Sequence, residues 1–161
     1  MPRMDQVELA SAIGGLSGDR PGRHVVVRFD RPLGPAERAQ LENAGLNLLA
    51  YLGNQAFFAS FSKAGVAAHE LSAMPFFSGV YSIEPSWKLD PRMAAGEVPD
   101  WAVVKTDPKR GRTVGVYVLF HPDIPLLTEG TSIVRRHEGE VRSGLESVNG
   151  LVLELPLANL R

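Results

Sequence analysis

From His24 onward, short β-branched runs alternate with polar, helix-like stretches. His24-Val25-Val26-Val27-Arg28-Phe29 predicts a strand. Gly34 and Pro35 then supply an N-cap and a first helical residue, and Ala36 to Ala44 sets Glu37, Arg38, Gln40, Glu42 and Asn43 against a thin stripe of Ala36, Leu41 and Ala44. Gly45 stands where a left-handed residue would stop that helix. Leu46–Leu52 and Ala56–Phe61 predict two strands of a hairpin turning at Gly53-Asn54-Gln55. Ser62 predicts the N-cap of a second helix, with Ala67, Leu71 and Met74 at i, i+4 and i+7 and Pro75 ending it. A last strand is expected over Gly79–Glu84, with Pro85 pointing to a sheet edge. The order β-α-β-β-α-β is the ferredoxin-like arrangement.

Residues 1–23 are rich in Gly, Ser, Asp and Arg around one apolar patch and predict a flexible N-terminal segment with about one helical turn. Three prolines and a basic run from Lys105 to Arg112 mark 90–112 as a linker, with Trp101-Ala102-Val103-Val104 as a short strand. The pattern then restarts. Val114, Val116, Val118 and Phe120 alternate as a strand, Pro122–Glu138 reads as a poor helix broken at Gly130, and Glu140–Glu146 and Leu151–Leu155 flank the hairpin signal Asn149-Gly150. Val148 to Leu155 aligns with Asn54 to Phe61, so the chain carries an internal repeat. The expected fold is α+β: tandem ferredoxin-like βαββαβ units at 24–89 and 113–161, antiparallel sheets with helices on one face, the second unit truncated. A unit lacking its last helix and edge strand would leave a bare sheet edge. Arg161 is therefore expected to be an expression boundary, a processing end or a truncated reading.

An antiparallel sheet with one wet face alternates cleanly, yet Val25-Val26-Val27, Leu48-Leu49 and Phe57-Phe58 place apolar groups on both faces. A partner or the sister repeat is expected to cover the second face. The candidate contact residues are Val26, Arg28, Leu49, Tyr51, Phe58 and Ser60.

Composition narrows the function classes. Seventeen basic against 18 acidic residues, net charge −1, exclude the uniform basic field of a general nucleic-acid binder, and no nucleic-acid partner is expected. The absence of cysteine excludes a disulfide scaffold, a thiol nucleophile and thiolate metal sites. No apolar run is long enough for a membrane-spanning helix, so no membrane partner is expected. Val7–Leu16 follows Asp5, contains Glu8 and lacks the basic start of a signal peptide.

Candidate chemistry is sparse. His24, His69, His121 and His137 have no metal-ligand spacing, and His137-Glu138-Gly139-Glu140 lacks the second histidine of a zinc-peptidase helix. Gly14-Gly15-Leu16-Ser17-Gly18 follows no strand and lacks the Lys-Ser/Thr end of a phosphate loop. Lys105, Lys109, Arg110 and Arg112 lack interleaved aromatics and read as a solvated loop; Arg135, Arg136 and Arg142 read as surface charge; Trp87 and Trp101 read as packing anchors. No catalytic residue, metal or cofactor is expected.

The first repeat resembles the N-terminal pro-region of bacterial subtilisin-like serine peptidases. The resemblance is carried by His24–Phe29, the helix ending at Ala44-Gly45, the hairpin through Tyr51 and Phe58, and Met74-Pro75 leading to Val80-Tyr81-Ser82-Ile83-Glu84-Pro85-Ser86-Trp87-Lys88-Leu89. Leu145 to Leu155 is similar to the family's second pro-region module. The resemblance implies ferredoxin-like modules that pack a sheet face on the peptidase domain in cis, assist its folding and block its active site, in a secreted or cell-envelope setting. It implies nothing catalytic here, because Gly130-Thr131-Ser132 starts the family's nucleophile motif but Ile133-Val134-Arg135 does not continue it. The alternative expectation is a stand-alone ferredoxin-like regulatory or assembly module that binds a small ligand or its own copy.

Overall fold

Ahead of the first predicted strand, where a flexible segment was expected, a computed structural model of the chain has a 14-residue helix, α1 (Gln6–Asp19). The structure describes residues 3–19, 22–109 and 111–160. Asp5 starts α1. Its carboxylate accepts from the amides of Val7 (2.9 Å) and Glu8 (2.8 Å), while the Glu8 carboxylate accepts from the Asp5 amide at 3.1 Å, a reciprocal cap. Leu9 and Ile13 are 1% and 0% exposed and belong to the first core. The flexible reading of 1–23 is thus corrected. Gly14, Gly15 and Gly18 dilute the periodicity, but the cap and the burial of Leu9 and Ile13 outweigh their poor helix propensity.

The chain divides into two units, Met1–Glu84 and Pro85–Arg161. In the first, β1 (His24–Phe29), α2 (Pro35–Asn43), β2 (Leu46–Gly53), β3 (Ala56–Phe61), α3 (Ala68–Ala73) and β4 (Phe77–Ser82) follow α1. The sheet order is β2-β3-β1-β4, antiparallel throughout, with β4 at an edge. This is the ferredoxin-like order. Val25, Val27 and Phe29 of β1 meet Leu9, Leu41 and Leu71 from the three helices, which therefore cover one face.

Gly34 and Pro35 begin α2 as expected, and the Glu37 carboxylate accepts from the Gly34 amide at 2.8 Å. Gly45 has φ +86°, and a Cβ there would lie 2.3 Å from the Gly65 carbonyl oxygen. That close approach also corrects the second helix. The Ser62 amide donates to Gly45 O (2.8 Å) and the Ala67 amide to Ala44 O (3.0 Å), which ties this stretch to the end of α2. The Ser62 hydroxyl oxygen accepts from Ala64 in a turn at 3.2 Å, and α3 starts only at Ala68.

The second unit contains α4 (Pro91–Ala94), β5 (Val103–Asp107), β6 (Gly111–Leu119), α5 (Thr131–Arg136), β7 (Glu140–Leu145) and β8 (Gly150–Pro156). Its antiparallel sheet runs β5-β6-β8-β7. The repeat holds: β6, β7 and β8 take the lanes of β1, β2 and β3. The fourth lane is filled from upstream by β5, so the edge expected to be bare carries a strand. The 90–112 linker is corrected on the same ground. Asp90 caps α4 through the Arg92 (2.9 Å) and Met93 (3.4 Å) amides, and Met93, Val98 and Val103 pack on the second core. Its prolines are turn and cap residues, with Pro91 at the start of α4. Arg110 and Arg161 lie outside the described residues.

The 122–138 stretch is a π-helical turn, Leu126–Gly130, running into α5. Val134 of α5 joins Val114, Val116, Leu151, Leu153 and Leu155 in the core, with Leu157 and Leu160 packed against it.

Candidate functional site

On the face of sheet 1 opposite the helices, Val26 pairs with Phe58 on one side and Tyr81 on the other. Arg28 pairs with Gly79 and Ala56, and Ser60 with His24. Four expected contact residues (Val26, Arg28, Phe58 and Ser60) therefore share one face. Val26 and Ser60 are buried, while Arg28 and Phe58 are half-buried. Tyr81 belongs with them. Its ring lies back across Gly79, whose missing side chain makes the room: a Cβ there would meet the Tyr81 hydroxyl at 2.5 Å. Burial pushes the Tyr81 phenol above its ordinary pKa, and the nearby Arg28 guanidinium opposes that shift.

Leu49 and Tyr51 do not join this face as expected. A β-bulge between Leu48 and Ala50 sets Ala50 against Phe58 and Tyr51 against Phe57. Phe57 belongs to the helix-side core, and the Tyr51 ring packs against it at a tilt of 51°, centroids 5.0 Å apart. Leu49 is the extra residue of the bulge, half-buried. The doubled Leu48-Leu49 came from this irregularity, not from a strand with two apolar faces.

Sheet 2 has a barer second face. Val114 and Val116 point to the core, so the alternate residues Tyr117 and Leu119 point away, 71% and 67% exposed. Tyr117 pairs with Val152 of β8, and Val104 of β5, 53% exposed, lies against Gly115 of β6. Beside this strip, Arg142 donates to Glu140 at 2.7 Å and to Glu154 at 2.8 Å. The Arg142 hydrogen bond holds the Glu154 carboxyl below its ordinary pKa. Sequence reading missed Tyr117 and Leu119, although the alternation that placed Val114, Val116 and Val118 inside already placed them outside.

A cavity of about 340 Å³ opens in the second unit, lined by Met93, Val98, Trp101, Val114, Val116 and Tyr117, with Asp90, Arg92 and Glu97 among its polar groups. Arg92 and Glu97 pair with each other at 3.5 Å. No group of three or more metal-ligating side chains occurs among the described residues. Ser132 sits exposed on α5, and the neighbouring Thr131 hydroxyl donates to the Leu127 (2.9 Å) and Thr128 (3.1 Å) carbonyls. Among the described residues, no helix is long and apolar enough to cross a membrane. What the arrangement offers is apolar sheet surface, with hydrogen-bonded charge at its margin.

No curated protein and no solved structure matches the chain. A family model described as "Domain of unknown function (DUF8729)" matches residues 3–85. The match includes α1 and ends where the first unit ends, so the helix preceding β1 is part of the domain. Matched over just more than half of its length, the chain belongs to the family described as Domain of unknown function (DUF8729).

Proposed function

We propose that this chain is the pro-region of a subtilisin-like serine peptidase, acting as folding assistant and inhibitor by packing sheet surface on the peptidase domain. The observation that carries the reading is the exposed strip of Tyr117, Leu119 and Val104 on the face of sheet 2 turned away from its core. Burying a side chain such as leucine contributes roughly 1.5–3 kcal/mol, and a few such anchors carry most of the energy of an interface. The repeat and the resemblance of both repeats to that family's pro-region modules support the same reading. The catalytic groups belong to the peptidase domain.

The test mixes the purified chain with a subtilisin-like peptidase. Peptide hydrolysis is followed, as is the yield of active peptidase on refolding from denaturant. The chain is expected to lower the first and raise the second, and the double variant Tyr117→Ser, Leu119→Ser to lose both while keeping its circular dichroism. An unchanged rate together with an unchanged yield overturns the proposal and favours a stand-alone module.

A further inference from the structure

In sheet 1 the lane beside β1 is filled by β4, which pairs along Val25–Phe29 and is buried at its first four residues. The matching lane of sheet 2, beside β6, holds β5. That strand reaches only Gly111–Val114 of β6, and only its Val103 packs on the core. On its other side β6 stays paired with β8 as far as Leu119. Gly115 to Leu119 therefore have a strand neighbour on one side alone. The chain does not prolong β5 along them, because Asp100–Ala102 forms a 3-10 turn, with Ala102 beside Gly115 at its end. The apolar cavity opens at this point, walled by Val114 and Val116 of β6 and by Met93, Val98 and Trp101.

The edge strands β2, β4 and β7 each carry a device that discourages added strands. Two register shifts interrupt β2. The Met4 amide donates to Ser78 O on β4 at 2.9 Å. A register shift and the charged pair Glu140–Arg142 mark β7. Gly115-Val116-Tyr117-Val118-Leu119 has no charge, no proline and no register shift.

We infer that this half-filled lane accepts an incoming antiparallel strand, an extended peptide segment with apolar side chains at alternate positions. Its main chain pairs with Gly115–Leu119, and one apolar side chain enters the cavity. The repeat defines the occupant, since sheet 1 shows the strand that suits this lane: Phe77-Ser78-Gly79-Val80-Tyr81-Ser82, without a charge. The lining agrees, because Arg92, the one cation lining the cavity among the described residues, is already paired with Glu97. This inference does not rest on the peptidase reading.

A fluorescent peptide of residues 77–84 is titrated into the full chain and followed by anisotropy, with hydrogen exchange mapped on the complex. Saturable binding and slowed exchange at Gly115–Leu119 are expected. The same peptide N-methylated on the amides of its pairing edge keeps the side chains but loses the ladder, and is expected to bind at least about tenfold more weakly. No saturable binding, a smaller loss on N-methylation, or protection confined to sheet 1 overturns the inference. None of these readouts involves a peptidase.

Discussion

Asn149 shows how much one side chain can organise. With φ 49° it sits in the left-handed region, and its amide nitrogen donates to the carbonyls of His121 (2.7 Å) and Ile124 (3.1 Å). It thus pins the loop after β6 to the β7–β8 turn. Asn149→Ala is expected to cost about 2–3 kcal/mol in urea unfolding, since it loses part-buried hydrogen bonds and strains a left-handed residue. Asn149→Gly relieves the backbone and should recover about 1 kcal/mol of that. Glu37 works through charge. Its carboxylate accepts from Arg31 and from the Gly34 amide, and these bonds hold its pKa below the usual 4.5. A carboxyl depressed on folding stabilises the fold above its unfolded pKa, and that contribution disappears as pH falls through the folded value. Urea midpoints measured from neutral pH downward should fall more steeply below 4.5 for the native chain than for Glu37→Gln.

At the scale of elements, α1 separates intrinsic propensity from packing. Ile13 is fully buried, so Ile13→Ala is expected to cost about 2–4 kcal/mol. A Cβ on Gly14 or Gly15 would meet nothing within 4 Å, and both are exposed within the helix. Gly14→Ala or Gly15→Ala should therefore gain about 0.5–1 kcal/mol each. Thermal unfolding of the three variants checks both signs, and a flexible segment would show neither effect. Strand β2 teaches a different point. One bulge carried Tyr51 to the face opposite Val26 and Phe58, because strand periodicity is two and a single extra residue inverts every position after it. Tyr51 and Leu49 were misplaced for that reason alone.

At the scale of the molecule, the two units differ in the size of their cores. The first gathers buried residues from three helices and four strands, while the second rests on β6, β8 and Val134, with turns and short helices in support. Local opening is cheaper where fewer apolar contacts must be broken. Native-state hydrogen exchange should accordingly be slower in β1 and β3 than in β6 and β8; equal protection in the two pairs of strands would contradict this. The sheet faces differ in the same sense. Around Val26 the second face of sheet 1 is largely covered, whereas sheet 2 presents Tyr117 and Leu119 to solvent.

Much of this could be read from local pattern. The strands, the α2 caps at Gly34 and Gly45, the internal repeat and the α+β class follow from side-chain periodicity and backbone preference, which act over a few neighbouring residues. Four of the six expected contact residues share a face because alternation held along β1 and β3. Tertiary contacts decided the rest. Burial of Leu9 and Ile13 made a helix of a glycine-rich segment, and the approach of Gly65 to Gly45 shortened α3. Pairing of Val103 with Val114 turned a linker into the fourth strand of sheet 2. Each of these joins residues that are distant in sequence or supplies burial absent from the local pattern, and such energies exist only once the chain has brought the partners together.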